Sequence, residues 1–355
     1  MSLGEKLIRP ALKDLVPYES ARRIGGNGDV WLNANENPYS QKYQLDCSRF
    51  NRYPEFQPPA VIQGYAEYTG LAPEQVLCTR GADEGIELLI RTFCEPAKDR
   101  VLICPPTYGM YAISAETNAV ETVKVVVDND FQPDVEAIKA NSKGVKLVFL
   151  CSPNNPTGHL LERERLLALL DYFSEQALVV VDEAYIEFEA ETSVQSLLAD
   201  YPNLVILRTL SKAFGLAGLR CGFTLASKDI IQQLSKVIAP YPVPEPVAQV
   251  AAQALSTDGL STMRAQVAEL NTFKQQFIAE LSALGADAWP SAGNFVMVKV
   301  DDAKACMKAA LDAGIILRDQ SKQTKLDGCV RVTVGSKVEM ERTLEALRLF
   351  LKEAA

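Results

Sequence analysis

Residues 145–158, VKLVFLCSPNNPTG, carry the pattern that decides the fold: a mostly apolar run that ends in a polar turn with two prolines and a glycine. Residues 178–185 (LVVVDEAY) and 204–220 (LVILRTLSKAFGLAGLR) repeat this arrangement. Apolar runs without polar alternation are typical of strands that helices cover on both faces. A helical pattern at 163–176 lies between them, and this alternation predicts an α/β fold with a mostly parallel sheet.

Further elements are predicted on either side of this pattern. Apolar, β-branched runs predict strands at 75–79, 100–104, 120–127 and 222–225, and helical periodicity predicts a helix at 85–94. A proline-rich stretch at 240–246 precedes a long helical pattern, 247–284, which could connect two domains.

The order of predicted helices and strands changes after residue 284. Strand patterns at 294–300, 315–318 and 329–334 are mixed with helical patterns at 303–313 and from 338 onwards, as in a small α+β unit. The first forty residues show little periodicity, and we expect them to pack on this unit or on a partner chain. The sequence therefore predicts a large domain at 41–284 and a small domain at 285–355, with 1–40 as its N-terminal arm.

Composition excludes several classes of partner. The 355 residues include 36 Lys+Arg and 45 Asp+Glu, a formal net charge of -9, and they contain no basic block. Nucleic acid and anionic membranes both attract proteins through a positive surface, so we expect neither as a partner. No apolar run reaches the roughly 18 residues that span a bilayer.

The cysteines and the single histidine limit which cellular compartments and which catalytic mechanisms fit the sequence. Eight cysteines lie scattered without a C-x-x-C pair, which is typical of reduced thiols in a cytoplasmic protein. Residues 1–20 lack the apolar core of a secretory signal. His159 is the one histidine, and the sequence contains no G-x-S-x-G motif, which argues against a Ser-His-Asp hydrolase. A single histidine also excludes metal sites that need several histidine ligands. We expect no metal, and we expect His159 on an exposed loop or at a helix start.

Polar residues follow three of the predicted strands, at the ends where ligands bind in open α/β sheets. Asn155 stands in a rigid turn, and Asp182 follows an apolar run, where a buried carboxylate needs a cation or several donors. Taken alone, a turn and a helix cap explain these two residues equally well. Lys212 is flanked by apolar and small residues, a setting that lowers the pKa of an amine and favours covalent bonding to a carbonyl group.

The same region suits a phosphate group. Thr209, Ser211 and Arg220 surround the lysine with hydroxyl and guanidinium donors. Residues 79–85 (TRGADEG) follow a predicted strand and open a helix, where free backbone N–H groups form a cradle for an anion. A capped helix start explains this segment equally well. It is not G-x-G-x-x-G, so a nicotinamide-binding fold is poorly supported.

Taken together, 153–158 (PNNPTG), 182–185 (DEAY) and 211–220 (SKAFGLAGLR) resemble, in type, order and spacing, the motifs of fold type I, pyridoxal-phosphate-dependent class I/II aminotransferases. Further similarity lies at 32–38 (LNANENP), 52–54 (RYP), 104–108 (CPPTY) and 331–335 (RVTVG), so the resemblance covers about 17–335. It implies a large domain with a mostly parallel sheet covered by helices, a smaller α/β domain, and pyridoxal 5'-phosphate as the cofactor.

The resemblance also assigns residues to this cofactor. Lys212 is implied to hold it covalently and to act as the base, with Asp182 on the pyridine nitrogen. Asn155 and Tyr185 are implied to bond the phenolic oxygen. The remaining matching positions are Ala82, Asp83, Thr209, Ser211 and Arg220 for the phosphate, Tyr108 for stacking on the ring, and Tyr53 for reaching the phosphate from a neighbouring subunit. A homodimer is therefore implied.

The substrate side follows from the same resemblance. Arg331 resembles the arginine that binds a donor carboxylate, and Arg318 is implied to help it accept a substrate phosphate. Tyr18 and the loop from Asn33 to Glu36 resemble substrate-side elements. Within the family the motifs are most similar to enzymes that act on histidinol phosphate. The implied reaction exchanges an amino group between L-glutamate/2-oxoglutarate and imidazole acetol phosphate/L-histidinol phosphate, a step of histidine biosynthesis.

Other activities share these cofactor motifs. An aromatic or broad-range amino-acid aminotransferase is the main alternative, because such relatives differ in only a few residues of the substrate pocket. A phospho-amino-acid decarboxylase on the same scaffold would release carbon dioxide. A cofactor-sensing regulator would need a DNA-binding extension, and the first forty residues leave little room for one.

Overall fold

A seven-stranded, a four-stranded and a two-stranded sheet organise the protein, whose computed structural model describes residues 2–17 and 27–354. The strands, in chain order, are β1 (Val30–Trp31), β2 (Val76–Thr79), β3 (Arg100–Ile103), β4 (Glu121–Lys124), β5 (Val145–Cys151), β6 (Leu178–Asp182), β7 (Leu204–Thr209), β8 (Gly222–Ala226), β9 (Asp287–Ala288), β10 (Phe295–Lys299), β11 (Ile315–Ile316), β12 (Arg318–Asp319) and β13 (Cys329–Thr333).

Helices connect and cover these strands. The α-helices are α1 (Leu3–Leu7), α2 (Pro59–Thr69), α3 (Ala82–Phe93), α4 (Met110–Thr117), α5 (Val135–Ala140), α6 (Arg163–Tyr172), α7 (Lys228–Leu234), α8 (Glu245–Ala254), α9 (Thr257–Ala283), α10 (Ala303–Asp312) and α11 (Lys337–Ala354). Short 3-10 helices lie at Pro10–Leu12, Cys47–Arg49, Pro73–Gln75, Ile186–Thr192, Gln195–Ala199 and Ala217–Leu219.

The seven-stranded sheet has the order β2-β8-β7-β6-β5-β3-β4. Strands β4, β3, β5, β6 and β7 pair in parallel, while β8 runs antiparallel to β7 and to β2. Parallel neighbours require crossover connections, which the intervening helices supply. The predicted α/β fold with a mostly parallel sheet is therefore confirmed.

Side chains on both faces of this sheet are buried, and β6 shows why its sequence is apolar without alternation. Val179, Val180 and Val181 are all fully buried. Val180 packs with α3 and α4 on one face, while Val179 and Val181 pack on the other face in the same core as Leu169 of α6. Fully burying a valine stabilises the fold by about 1.5–3 kcal/mol relative to leaving it exposed.

The predicted helix at 247–284 is wrong in one respect, because two helices occupy this stretch. α8 ends at Ala254, and α9 begins at Thr257. Ser256 lies between them in an extended conformation, and its hydroxyl accepts a hydrogen bond from the backbone N–H of Gly259 at 3.2 Å. Serine is a favourable N-cap, so the polar stretch 256–259 (STDG) lies at the junction of the two helices and its first residue caps the second.

The predicted strand at 315–318 is likewise split between two sheets. Ile315 and Ile316 pair in parallel with β1, whereas Arg318 and Asp319 pair antiparallel with β13. β13 continues to β10 and β9 in an antiparallel four-stranded sheet. Residues 30–31 therefore pack on the C-terminal unit, one of the two locations expected for the N-terminal segment.

An earlier part of the N-terminal segment lies elsewhere. Arg9 donates a hydrogen bond to the carbonyl oxygen of Thr117 at the end of α4, next to the 3-10 helix Pro10–Leu12. This contact places residues 9–12 against the helices of the main sheet. Within residues 2–17 and 27–354, no helix combines the length and the apolar composition needed to cross a membrane.

Leu169 tests how much the core of the main sheet depends on α6. The Leu169→Ala variant removes a fully buried side chain, so we expect a loss of about 3 kcal/mol in the free energy of unfolding. Leu349→Ala, which truncates a leucine that is 54% exposed, is the control and should change this free energy by less than about 0.5 kcal/mol. Chemical denaturation measures the free energy of unfolding of both variants. Equal losses would contradict the placement of Leu169 in the core of the main sheet.

Candidate active site

Three strand ends meet at one edge of the main sheet and open into a cavity of about 1120 Å³. Cys151 at the end of β5 pairs with Asp182 at the end of β6, and Asp182 pairs in turn with Leu207 of β7. Parallel strands end at the same edge, so the polar residues that follow each strand are brought together.

Most residues predicted for the site line this one cavity. They are Asn33, Ala82, Asp83, Tyr108, Asn155, Asp182, Tyr185, Thr209, Ser211, Lys212, Arg220, Arg318 and Arg331. Tyr53 is absent from the lining and is 78% exposed, as expected for a residue that would serve a neighbouring subunit. Tyr18 lies outside the described residues.

Lys212 presents its amine inside the cavity. The Nζ atom donates a hydrogen bond to the carbonyl oxygen of Ala34 at 2.9 Å and lies 5.5 Å from the centre of the Tyr185 ring. Burial, and to a lesser extent the positive charge of Arg331, lower the pKa of this amine to about 8. An amine with this pKa is available as a nucleophile and as a base near neutral pH.

Asp182 is a buried carboxylate whose partners are neutral. Its Oδ2 accepts a hydrogen bond from the Tyr111 hydroxyl at 2.7 Å, and its Oδ1 accepts one from the backbone N–H of Ala184 at 3.1 Å. Burial raises the pKa of the Asp182 carboxyl to about 6. Within the described ranges no lysine or arginine pairs with it, so a cationic group in the cavity would complete its environment.

The start of α3 and the loop after β7 form an anion-binding corner. Arg220 Nη1 donates to the Ser211 hydroxyl at 3.3 Å, and Thr209 Oγ1 donates to the same oxygen at 2.9 Å. Gly81 precedes α3 with φ +83° and makes no side-chain cap, and a Cβ there would lie 2.7 Å from Arg220 Nη2. The backbone N–H groups at the helix start are therefore left open beside a guanidinium.

Two arginines also line this cavity. Arg318 of β12 and Arg331 of β13 are directly paired in the antiparallel register. Arg331 Nη1 donates to Asn155 Oδ1 at 2.5 Å, and Nη2 donates to the carbonyl oxygen of Asn33 at 2.8 Å. Neighbouring guanidinium groups in one cavity suit a carboxylate or a phosphate.

Tyr111 was not predicted from the sequence, and Asn35 was expected only as part of the substrate-side loop from Asn33 to Glu36. Tyr111 contacts Asp182 as described; it lies on α4, whereas Tyr108 precedes that helix, so their spacing in the sequence does not predict the contact. Asn35 has φ 53°, donates through Nδ2 to the Tyr185 hydroxyl at 3.0 Å, and receives a hydrogen bond to its carbonyl oxygen from Asn294 at 3.1 Å. Asparagine tolerates this backbone conformation, but sequence alone does not show that it is used.

His159 differs from its expected exposed position. Its ring stacks on Phe131 at 4.8 Å between centroids and lies edge-on to Trp289 at 6.1 Å. Burial lowers the pKa of this imidazole. Packing between aromatic residues, which local sequence does not reveal, explains the difference.

This fold and this set of residues define an aminotransferase. The family model described as aminotransferase class I and II matches residues 27–347, and the chain belongs to this family. The predicted family and enzyme class are confirmed.

Several proteins that are similar to this chain carry the same name. Proteins named histidinol-phosphate aminotransferase from Vibrio parahaemolyticus and Aeromonas hydrophila are 55% and 57% identical to the chain, over 97% and 96% of its length and 99% and 97% of theirs. A solved structure of histidinol-phosphate aminotransferase from Sinorhizobium meliloti, in complex with pyridoxal-5'-phosphate, has a TM-score of 0.85 at 24% identity and covers 98% of each chain.

The fold is also similar to that of an aspartate aminotransferase with lower sequence identity. A Thermus thermophilus aspartate aminotransferase with maleate has a TM-score of 0.77 at 20% identity, covering 96% of this chain and 99% of its own.

The cavity fits pyridoxal phosphate, the cofactor of this family. The buried Asp182 carboxylate calls for a cation such as a protonated ring nitrogen, the amine of Lys212 suits an aldehyde, and the corner beside Gly81 suits a phosphate. Asp182, Lys212 and the residues that follow Gly81 line the same cavity.

Gly81 tests the anion-binding corner. In Gly81→Ala the new methyl group would displace Arg220, so we expect the affinity for pyridoxal phosphate, measured by equilibrium dialysis, to fall about tenfold or more. Gly70→Ala is the control for a methyl group added at a positive φ, because Gly70 has φ +72° and no atom lies within 4 Å of its added Cβ. Gly70 has ψ 16°, in the left-handed helical region, whereas Gly81 has ψ 171°, so the control carries less backbone strain than Gly81→Ala. The control should retain normal affinity; equal losses in both variants would refute the role of the Arg220 contact.

Proposed function

We propose that the protein is a pyridoxal-phosphate-dependent histidinol-phosphate aminotransferase. It would exchange the amino group between L-glutamate/2-oxoglutarate and imidazole acetol phosphate/L-histidinol phosphate, a step of histidine biosynthesis. The observation that carries this proposal is the pair Arg318 and Arg331, which line the same cavity as the Lys212 amine. One guanidinium pair of this kind can accept the carboxylate of glutamate and the phosphate of histidinol phosphate in turn.

The cofactor would be held by the residues already described. Lys212 would bind its aldehyde carbon, Asp182 would pair with the ring nitrogen, and Asn155 and Tyr185 would bond the phenolic oxygen. Ala82, Asp83, Thr209, Ser211 and Arg220 would hold the phosphate, and Tyr108 would cover the ring. When bound, pyridoxal phosphate supplies an electron sink for the negative charge that develops on the substrate Cα.

Proton transfer is the task of Lys212. Once the substrate amine has displaced it, the free Nζ would take the proton from the substrate Cα and carry it to the cofactor. Burial supports this role because it lowers the pKa of the amine to about 8, so a neutral fraction exists at neutral pH. Asp182 would assist by keeping a positive charge on the ring nitrogen.

Substrate orientation is the task of the arginines and their supports. Arg331 is held from two sides by Asn155 and by the carbonyl oxygen of Asn33, which fixes the direction of its guanidinium. A fixed guanidinium would hold the anionic group of the substrate so that its amine faces Lys212. Tyr18 is proposed on the substrate side, although it lies outside the described residues.

We also propose that the active form is a cytoplasmic homodimer in which Tyr53 reaches the phosphate site of the partner. Tyr53 stacks on Tyr241 with ring centroids 4.5 Å apart, and these rings are 78% and 49% exposed in the single chain. A second copy would cover this aromatic surface. The free state of all eight cysteines supports a reducing compartment. The division into 41–284 and 285–355 with 1–40 remains part of this proposal.

The substrate is tested by absorption spectroscopy of the purified protein with pyridoxal phosphate. Adding L-histidinol phosphate without any keto acid should convert the visible band of the lysine-bound cofactor to the shorter-wavelength band of the pyridoxamine form. Lys212→Ala is the control and should lose turnover by several orders of magnitude while its far-ultraviolet circular dichroism stays unchanged. A band that L-phenylalanine converts and histidinol phosphate leaves unchanged would favour an aromatic aminotransferase instead.

The lowered pKa of Lys212 predicts how cofactor capture depends on pH. Below pH 8 the amine is mostly protonated and cannot attack an aldehyde, so the capture rate should rise about tenfold per pH unit and level off above pH 8. Stopped-flow absorption of the cofactor-free protein with pyridoxal phosphate measures this rate. A midpoint near 10.5, the ordinary pKa of lysine, would contradict the effect of burial.

A further inference from the structure

Tyr111 makes the shortest side-chain contact to the carboxylate that the proposed function places on the ring nitrogen. Its hydroxyl lies 2.7 Å from Asp182 Oδ2, and both side chains are buried, with Tyr111 fully inaccessible. Tyr111 comes from α4 and Asp182 from the end of β6, so the hydrogen bond joins a covering helix to the sheet.

The orientation of the Tyr111 ring is fixed by its neighbours. Phe149 of β5 stacks on it with centroids 5.0 Å apart and an interplanar angle of 8°, and Tyr108 meets it edge-on at 5.6 Å. Burial raises the pKa of the Tyr111 hydroxyl well above its ordinary value, so the group keeps its proton. Tyr111 is therefore a permanent donor that is aimed at one carboxylate oxygen.

The ionisable groups around Asp182 do not stabilise its negative charge, so the hydrogen bond from Tyr111 is important for keeping it ionised. The ionisable groups that face it are Asp83 at the start of α3, Glu183 next to it in the chain, and Cys151 at the end of β5. The two carboxylates repel its negative charge, and the buried thiol supplies no positive charge. Only Tyr111 and the backbone N–H of Ala184 donate to Asp182 within the part of the chain that the structure describes.

We propose that Tyr111 is a positioning residue for the reaction: its hydroxyl holds Asp182 ionised and directed into the cavity, so that a shared proton stays on the ring nitrogen. The inference rests on the proposed function, because the nitrogen belongs to the cofactor assigned there. No bond changes at Tyr111, which acts only through Asp182. Without its donated hydrogen bond, the proton would move from the nitrogen towards the carboxylate, since hydrogen bonding to the charged form favours that form.

Substitution by phenylalanine isolates this hydrogen bond. Tyr111→Phe keeps the ring and its stacking on Phe149 and removes only the hydroxyl. Tyr65→Phe is the matched control, because Tyr65 is also a fully buried tyrosine stacked on a phenylalanine, Phe223, and its hydroxyl makes no hydrogen bond within the described residues. The two variants share the change in composition and differ in the contact to Asp182.

The readout is the ¹⁵N chemical shift of the ring nitrogen in holoenzyme loaded with ¹⁵N-labelled pyridoxal phosphate. We expect wild type and Tyr65→Phe to show a protonated nitrogen at neutral pH. Tyr111→Phe should shift towards the unprotonated value, which Asp182→Asn supplies as a reference. The affinity for pyridoxal phosphate should fall about tenfold in Tyr111→Phe and stay within about twofold in the control.

The outcomes separate this inference from the proposed function. A Tyr111→Phe nitrogen signal identical to that of wild type would overturn the positioning role, even if turnover were reduced. Failure of wild type to bind pyridoxal phosphate would overturn the proposed function and this inference together. A shifted signal in Tyr111→Phe with normal binding and spectra in Tyr65→Phe would support it.

Discussion

The buried carboxylate of Asp182 is the constraint on which the rest of the site depends. The strand that carries it must be apolar on both faces, because Val180 and its neighbours build the core on either side of the sheet. The residue that ends such a strand enters a poorly solvated environment, where a negative charge is costly. The negative charge of Asp182 is stabilised by hydrogen bonds from a tyrosine hydroxyl and a backbone N–H, and it faces a cavity that suits a cation.

A second buried charge fixes the geometry next to it. Glu183 accepts from Arg208 at 2.7 Å and from the backbone N–H of Val194 at 2.7 Å, and both charged side chains are almost fully buried. Arg208 precedes Thr209 at the end of β7, so this ion pair joins Glu183, the residue that follows β6, to the strand that leads to Lys212. Removing one partner of a buried pair is strongly destabilising, so we expect both residues to be needed for this connection between the two strand ends.

Sequence reasoning succeeded where local pattern and tertiary position coincide. Strands without alternation predict a covered parallel sheet, and the residues that follow them, such as Asp182 and Lys212, necessarily gather at one edge. It failed where the decisive contact is distant or a single hydrogen bond. The helix break at Ser256 depends on one cap hydrogen bond within a short polar stretch, and the contacts of Tyr111 and Asn35 depend on elements far away in the chain.

The segment that includes Asn33 has a consequence for biosynthesis of the chain. Asn33 contacts Arg331, and Asn35 contacts Thr333, across 298 residues in each case. A nascent chain therefore exposes the segment's polar groups until nearly the whole protein has left the ribosome, while the central sheet can already form. The lysine loop and the anion-binding corner would assemble first, and the substrate side would be completed last, so a prematurely ended chain could hold a folded sheet without a finished catalytic cavity.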